Sequence, residues 1–373
     1  MNPYSRQLID NDDIEAVTKA LRSSHLTQGA IHQEFENEIA KFTNAKYALV
    51  FNSATSALHA AYDAIGLSKD DAIITSPISF VATSNMATAL GAKPIFSDIM
   101  LNGNIDPRFI ERAITPKTKA LVPVHFAGTI CDMEKILDIA KKHDLKVIED
   151  AAHAFGSSVN GKSAGTFGDI GVFSFHAIKP ITTGEGGAIV TDSEELYEKM
   201  KLFRSHGVVK KKLYNSDMQS MGYNYRMSDI NAALGLSQLK KLPQFIDQRE
   251  KIASYYDERF KNNRYFYTID VKHSSSRHLY PILLKPEFQC PKEDIFAELL
   301  EKGVGVQVHY KPIYKNSFYQ KLYGEQRLQV AEDFWRSELS IPCHQAMSME
   351  EAKNTSDIVE EVLDKYSYKS CSF

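Results

Sequence analysis

This 373-residue sequence predicts an α/β fold: a mostly parallel central sheet flanked by helices, followed by a smaller α+β C-terminal domain. Three observations carry that expectation. Strand-like and helix-like stretches alternate through the first two-thirds of the chain. The strand-like stretches are continuous apolar runs, as in strands buried on both faces. After Arg259 the alternation gives way to a different mix, so a second unit is expected.

The elements follow in order. A lead-in helix is expected over Asp12–Arg22, capped by Asp10 or Asn11, with Asp12, Asp13 and Glu15 in its positive first turn. Strands are expected at Tyr47–Phe51, Ala72–Thr75, Lys93–Phe96, Ala120–Val124, Lys146–Glu149, Gly171–Phe175 and Ala188–Thr191. Helix-period stretches between them run over Ala54–Ile65, Ala82–Leu90, Met133–His143 and Ser193–Phe203. Leu234 to Arg259 reads as one or two helices, with Pro243 marking a break or kink. Tyr280–Leu284 and Val304–His309 read as strands flanking a helical Lys292–Lys302, and Glu350–Tyr366 as a closing helix. The expected boundary lies within the Leu234–Arg259 helical region. It gives a large unit of residues 1–245, lead-in included, and a smaller one of residues 246–373.

Composition narrows the function classes. With 43% hydrophobic and 24% charged residues, the chain can bury a full core without disulfides or metal. A net charge of −3 gives no general surface for nucleic acid or anionic membrane. The cluster Lys210-Lys211-Lys212 reads as a solvated loop, since no aromatic residues interleave it. No stretch approaches the ~20 apolar residues of a membrane helix, and the first residues do not form a signal peptide. Cys131, Cys290, Cys343 and Cys371 are scattered, which favours free thiols in a reducing cytoplasm. Twelve histidines are equally dispersed, with no ligand spacing, so no metal site is expected.

The chemistry concentrates in Ser174–Gly187. Lys179 follows one predicted strand, stands before Pro180, and leads through Gly184, Gly186 and Gly187 into another. Alone, such a lysine is most often a surface charge. Set among hydroxyls, a histidine and three glycines, it suits an amine that bonds a carbonyl cofactor, and pyridoxal 5′-phosphate (PLP) is the cofactor that asks for one. Three further needs of that cofactor each have a candidate just past a strand. Asn52–Leu58, with Ala54, Thr55 and Ser56, can cradle a phosphate at a helix N-terminus, or be a plain N-cap. Asp150 can keep the pyridine nitrogen protonated, with His153 near the ring hydroxyl; otherwise it caps a surface helix. Phe80 can stack on the ring, or belong to the core.

At these residues the sequence resembles the DegT/DnrJ/EryC1/StrS family of sugar-nucleotide aminotransferases, which have the type I PLP-dependent transferase fold. The resemblance runs nearly end to end, through Leu26–Gly29, Asn52–Leu58, Glu149–His153, Ser174–Gly187, Gly222–Arg226 and Val308–Pro312. It implies Lys179 as the cofactor-linked lysine and Asp150 as the partner of the pyridine nitrogen. It implies Ala54, Thr55, Ser56 and Ser174 at the phosphate, Phe80 on the ring, and Asn224 reaching the phosphate of a neighbouring subunit. A homodimer with shared active sites follows from that last role. Two departures stand out. Ala54-Thr55 replaces a frequent Gly-Thr, and His153 stands where many members have Gln. Relatives that replace the lysine with histidine become dehydratases; Lys179 is present.

Phe173–Thr183, Leu202–Gly207 and Gln307–Tyr314 look most like the branch that aminates C4 of a UDP-linked 2-acetamido-2,6-dideoxy-4-hexulose. The resemblance implies an exchange in which L-glutamate gives the amino group and leaves as 2-oxoglutarate. Arg226, His309 and Lys311 are candidates for the sugar nucleotide's diphosphate. Tyr4, His25, Leu26 and Thr27 are candidates near its sugar or base. Tyr310, beside Pro312, either packs on the sugar or wedges the two domains. Another keto-sugar aminotransferase, a PLP dehydratase and a non-catalytic sensor or scaffold on the same fold remain open.

Overall fold

The computed structural model describes residues 1–286 and 291–369. Seven strands form the main sheet: β1 (Tyr47–Phe51), β2 (Ala72–Thr75), β3 (Lys93–Phe96), β4 (Thr118–Val122), β5 (Lys146–Asp150), β6 (Ile170–Ser174) and β7 (Gly187–Thr191). Their order is β1-β7-β6-β5-β4-β2-β3. Strands β2 to β6 pair in parallel, while β7 runs against both β6 and β1. All strands but β7 therefore end on one edge of the sheet, where an open α/β sheet gathers its ligands.

Helices α1 (Asn11–Leu21), α2 (Ala30–Thr43), α3 (Ala54–Ala64), α4 (Ala82–Ala89), α5 (Pro107–Ala113), α6 (Met133–Lys142) and α7 (Glu194–Arg204) accompany the sheet. One face buries Phe35, Ile39, Ile136 and Leu242; the other buries Leu58, Tyr62, Met200 and Phe203. That two-sided burial is why the strands read as unbroken apolar runs. Asp10 caps α1 as expected, accepting from the Asp12 and Asp13 amides, while Asp13 reaches back to the Asp10 amide.

α8 (Asp229–Arg259) is one continuous helix of 31 residues with Pro243 inside it, so of the two alternatives the chain forms one helix rather than two. Proline removes one backbone hydrogen bond. Here, packing on both sides of that point holds the helix together. Leu239, Leu242 and Phe245 lie in the sheet's core, and Ile252, Ala253 and Tyr256 lie in a third core. That third core also takes β10 (Phe266–Thr268), β11 (Tyr280–Leu284), β12 (Glu338–Ile341), α9 (Lys292–Glu301) and α12 (Met349–Lys369). Two short helices, α10 (Ser317–Tyr323) and α11 (Gln329–Ser337), complete the chain.

Two further expectations are corrected. Val304–His309 is not a strand; it makes only isolated bridges, Val304 to Asn2 and Gln307 to Ser340. Its partners are single residues of other segments rather than a neighbouring strand. Lys210–Lys212 is not a loop but part of β8 (Val208–Lys212), paired with β9 (Asn215–Met218) in an exposed hairpin. Cys131 and Cys343 are buried free thiols, while Cys290 and Cys371 lie outside the described residues. No helix among the described residues is long and apolar enough to cross a membrane, and no cluster there could hold a metal.

Candidate active site

β6 delivers the lysine. After Ser174 the chain loops out and turns back at Gly184, whose φ of +80° suits glycine, to start β7 at Gly187. The loop is tied at both ends: the Phe175 amide donates to Gly186 O (2.9 Å) and the Thr183 amide to Phe175 O (2.9 Å). Ser5 Oγ donates to Ile178 O (2.8 Å), and Asn231 Nδ2 to Thr183 O (2.6 Å). Both the N-terminal segment and α8 thus fix the backbone around Lys179.

The Lys179 side chain is buried, and its Nζ lies 3.2 Å from His278 Nε2. Burial pulls the amine down to about 7, against Asp150, which favours the charged form; Arg249 adds to the depression. A lysine at that point is a usable nucleophile and proton carrier near neutral pH.

Asp150 ends β5, fully buried. Its Oδ2 accepts from Thr83 Oγ1 (2.6 Å) and its Oδ1 from the Ala152 amide (3.2 Å). Burial pushes the carboxyl up, while Thr83, Ala152, Lys179 and His125 pull it down. Among the described residues it has no cation in contact. His153 accepts the Ala127 amide at Nδ1 (3.3 Å), and its Nε2 lies 3.1 Å from Tyr310 Oη. It can meet a cofactor hydroxyl only by giving up Tyr310.

At the end of β1, Ser53 caps α3. Ser56 is committed to that cap: its amide donates to Ser53 Oγ and its hydroxyl to Asn52 Oδ1 (2.6 Å). The Ala54 and Thr55 amides have no acceptor among the described residues, leaving them free for an anion. Among the described residues Ser174 Oγ accepts only the His176 amide (3.3 Å), leaving its proton to donate. Phe80 is 61% exposed, not a core residue.

The remaining candidates separate into two groups. Tyr4, His309 and Tyr310 come together: the Tyr4 and His309 rings are 5.2 Å apart, and His309 and Tyr310 meet edge-on at 4.8 Å. Lys311 is exposed, and Pro312 is buried beside the bond from the Ile313 amide to Pro77 O. His309 is an uncharged ring rather than a cation. Burial holds it down to about 3, and its Nδ1 pairs with Ser340 Oγ (2.8 Å). Tyr310 bonds His153 and packs beside Phe126 and Leu279. His25, Leu26 and Thr27 are exposed and run beside the start of α8, where the Asp229 amide donates to Leu26 O (2.9 Å). Asn224 is exposed, and Arg226 bridges to Phe51. No hydrogen bond among the described residues links His25–Thr27 or Asn224 to Lys179 or Tyr4 within the chain.

Sequence reasoning missed His278, Arg249 and Thr83. Thr83 sits three residues after Phe80, a spacing with an ordinary helical meaning; His278 and Arg249 carry no motif at all. A cleft of about 1240 Å³ beside Tyr267, Leu283, Phe334 and Trp335 holds neither Lys179 nor Asp150. Volume alone points away from the chemistry.

A buried, near-neutral lysine beside a buried carboxylate at the carboxyl edge of this sheet is the working arrangement of one enzyme class, the transferases of the type I PLP fold. The chain belongs to the DegT/DnrJ/EryC1/StrS aminotransferase family, whose sequence profile matches residues 7–360. It is 50% identical over 376 residues, covering all of both chains, to the UDP-4-amino-4,6-dideoxy-N-acetyl-β-L-altrosamine transaminase of Campylobacter jejuni strain 81-176. Its fold is similar to that of Helicobacter pylori PseC, an aminotransferase of pseudaminic acid biosynthesis. The TM-score is 0.95 at 45% identity, over 97% of this chain and 99% of that one. A Streptococcus pneumoniae sugar aminotransferase in its PLP form matches with a TM-score of 0.92 at 30% identity, over 98% and 99% of the two chains.

Proposed function

We propose that the protein uses PLP to move the amino group of L-glutamate to C4 of a UDP-linked 2-acetamido-2,6-dideoxy-4-hexulose. The products are 2-oxoglutarate and UDP-4-amino-4,6-dideoxy-N-acetyl-β-L-altrosamine, a step of pseudaminic acid biosynthesis. The observation that carries this reading is the 50% identity across the whole of both chains.

The residues fit the cofactor. Asp150 is a buried carboxylate with no cation in direct contact among the described residues, a place that suits a protonated ring nitrogen. The Ala54 and Thr55 amides and the Ser174 hydroxyl are donors without a ligand, suited to a phosphate. When bound, PLP supplies an aldehyde that bonds amines and a cationic ring that draws electrons from the carbon beside them. Lys179 holds the cofactor and, once its amine is free, takes a proton from the α-carbon of glutamate. The same amine moves a proton to C4 of the sugar in the second half of the exchange. Asp150 fixes charge rather than moving a proton. Phe80 covers the ring, and Tyr310 and Tyr4 border the space in front of it. We further propose a homodimer in which Asn224 and the exposed His25–Thr27 segment serve the neighbouring site, and a division into units of residues 1–245 and 246–373.

The purified protein with PLP is expected to show a visible band that borohydride reduces, leaving the label on Lys179; Lys179→Ala should lack both. A colourless protein that takes up no PLP sinks the reading. Glutamate assayed with UDP- and dTDP-linked 3- and 4-keto sugars should give turnover on the UDP-linked 4-keto sugar. Turnover on a 3-keto sugar alone would overturn the regiochemistry.

A further inference from the structure

We propose that His278 is the positioning residue of the reactive lysine: the neutral acceptor on which the Lys179 amine rests whenever it is not joined to the cofactor. The inference rests on the reading of Lys179 as the cofactor-linked lysine. His278 Nε2, 3.2 Å away, is the only hydrogen-bond partner of Lys179 Nζ among the described residues. The two come from opposite units of the chain, one from the loop after β6 and the other from the residue pair before β11.

His278 differs from two of its buried neighbours, His125 and His153, in how its ring is bonded. His125 bonds Glu149 through Nε2 (2.8 Å) and the Cys131 amide through Nδ1 (3.2 Å). His153 likewise engages both nitrogens. His278 is 1% exposed; among the described residues its Nδ1 has no partner and its one side-chain bond goes to the lysine. That leaves the bond to Lys179 as the polar contact that fixes the His278 ring. Its backbone is held firmly: the Arg249 guanidinium donates to His278 O (3.2 Å), Arg277 O (3.1 Å) and Cys343 O (2.8 Å). Its ring leans on that of His153 at 4.6 Å.

A neutral acceptor suits a lysine that must both take and give a proton. A carboxylate here would favour the charged amine over the neutral one, and an apolar group would favour the neutral amine over the charged one. The other groups acting on the amine are Asp150 from β5 and Arg249 from α8, with His153 and His309 nearby. Burial keeps His278 itself well below the ordinary histidine range, so it accepts without carrying charge. An imidazole binds an ammonium more strongly than an amine, because that bond is charge-assisted. Removing His278 should therefore make the Lys179 ammonium give up its proton more readily.

The test uses the full chain freed of PLP, labelled with trace acetic anhydride from about pH 5 to pH 10. Acetylation of Lys179 is read by peptide mass spectrometry against exposed Lys69. His278→Leu should move the midpoint toward acid by about one unit. His278→Gln, whose Oε1 can replace Nε2, should stay near wild type, and His278→Asn, too short to reach, should follow Leu. With PLP restored, kcat for glutamate should fall about ten-fold in the Leu variant while KM holds. A thermal melt confirms that each variant folds, and the Asn variant decides if Leu does not. Superposed midpoints in wild type and the non-accepting variants overturn the inference. Borohydride labelling with PLP separates the two ideas: a label away from position 179 defeats the lysine reading, whereas unchanged midpoints with the label on Lys179 defeat only His278.

Discussion

Burial of Lys179 has a consequence for stability as well as for reactivity. Its amine in the folded chain sits at about 7, while in the unfolded chain it takes the ordinary lysine value. Between about pH 7 and the ordinary value near 10.4, the unfolded chain binds a proton that the folded chain does not. Stability of the cofactor-free protein therefore rises with pH across that window, and the cost of burying the amine is greatest below it. Lys179→Met removes the titration. The variant should be more stable than wild type at pH 7, by on the order of a few kcal/mol, with the gap closing toward pH 10. Thermal midpoints of both proteins without PLP, taken through that range, check this; a gap that ignores pH contradicts it. Asp150 is tested differently. Asp150→Asn keeps the shape and the bond to Thr83 but loses the charge. The variant should still bond PLP through its lysine while kcat falls roughly a hundred-fold or more. A small loss of kcat would remove Asp150 from the chemistry.

β7 and α3 meet with almost no space between them, and Gly187 makes the meeting possible. A Cβ at that position would lie 2.5 Å from the Ala54 nitrogen, one of the two free amides of the phosphate cradle. Gly187→Ala must push the α3 N-terminus aside, at a cost of about 1–3 kcal/mol to the fold. PLP affinity, followed by absorbance titration, should weaken by at least ten-fold, or about 1.4 kcal/mol; undiminished affinity would place the phosphate elsewhere. Elements built on local patterns were the legible ones. The unbroken runs from Tyr47 to Thr191 announced the sheet, and Asp10 before Asp13 announced the cap of α1. Position along the chain also exposed Lys179, Asp150 and Ala54-Thr55, because a parallel sheet collects the ends of its strands. What depended on distant packing was hidden. Pro243 stays within a helix because two cores grip it, and Val304–His309 lacks a ladder partner. His309 is kept uncharged by burial, with Lys179 adding to the effect. His278 reaches Lys179 across 99 positions, with nothing near it in sequence to mark the meeting.

At the scale of the whole molecule, the chain brings Lys179 and Asp150 together and leaves some of the proposed site residues exposed. Asn224 is exposed, Leu26 is 46% exposed, and the nearby hairpin carries Leu213 and Tyr214 at 92% and 96% exposure. Exposure of that kind, at Asn224 and Leu26 which are proposed to meet cofactor and substrate and at the hairpin beside them, fits the proposed two-fold dimer in which each subunit completes its neighbour's site. The arrangement makes a prediction that a monomeric site cannot meet. Lys179→Ala and Asn224→Ala should each be defective as homodimers. When the two are coexpressed with different tags and the mixed dimer is isolated, one site carries both substitutions and the other carries neither. The mixed dimer should then recover about half the activity of the wild-type dimer. If Asn224 serves its own chain instead, every site in the mixed dimer keeps one defect and nothing is recovered. Activity of the tagged heterodimer against the two parent homodimers therefore separates a shared site from a self-contained one.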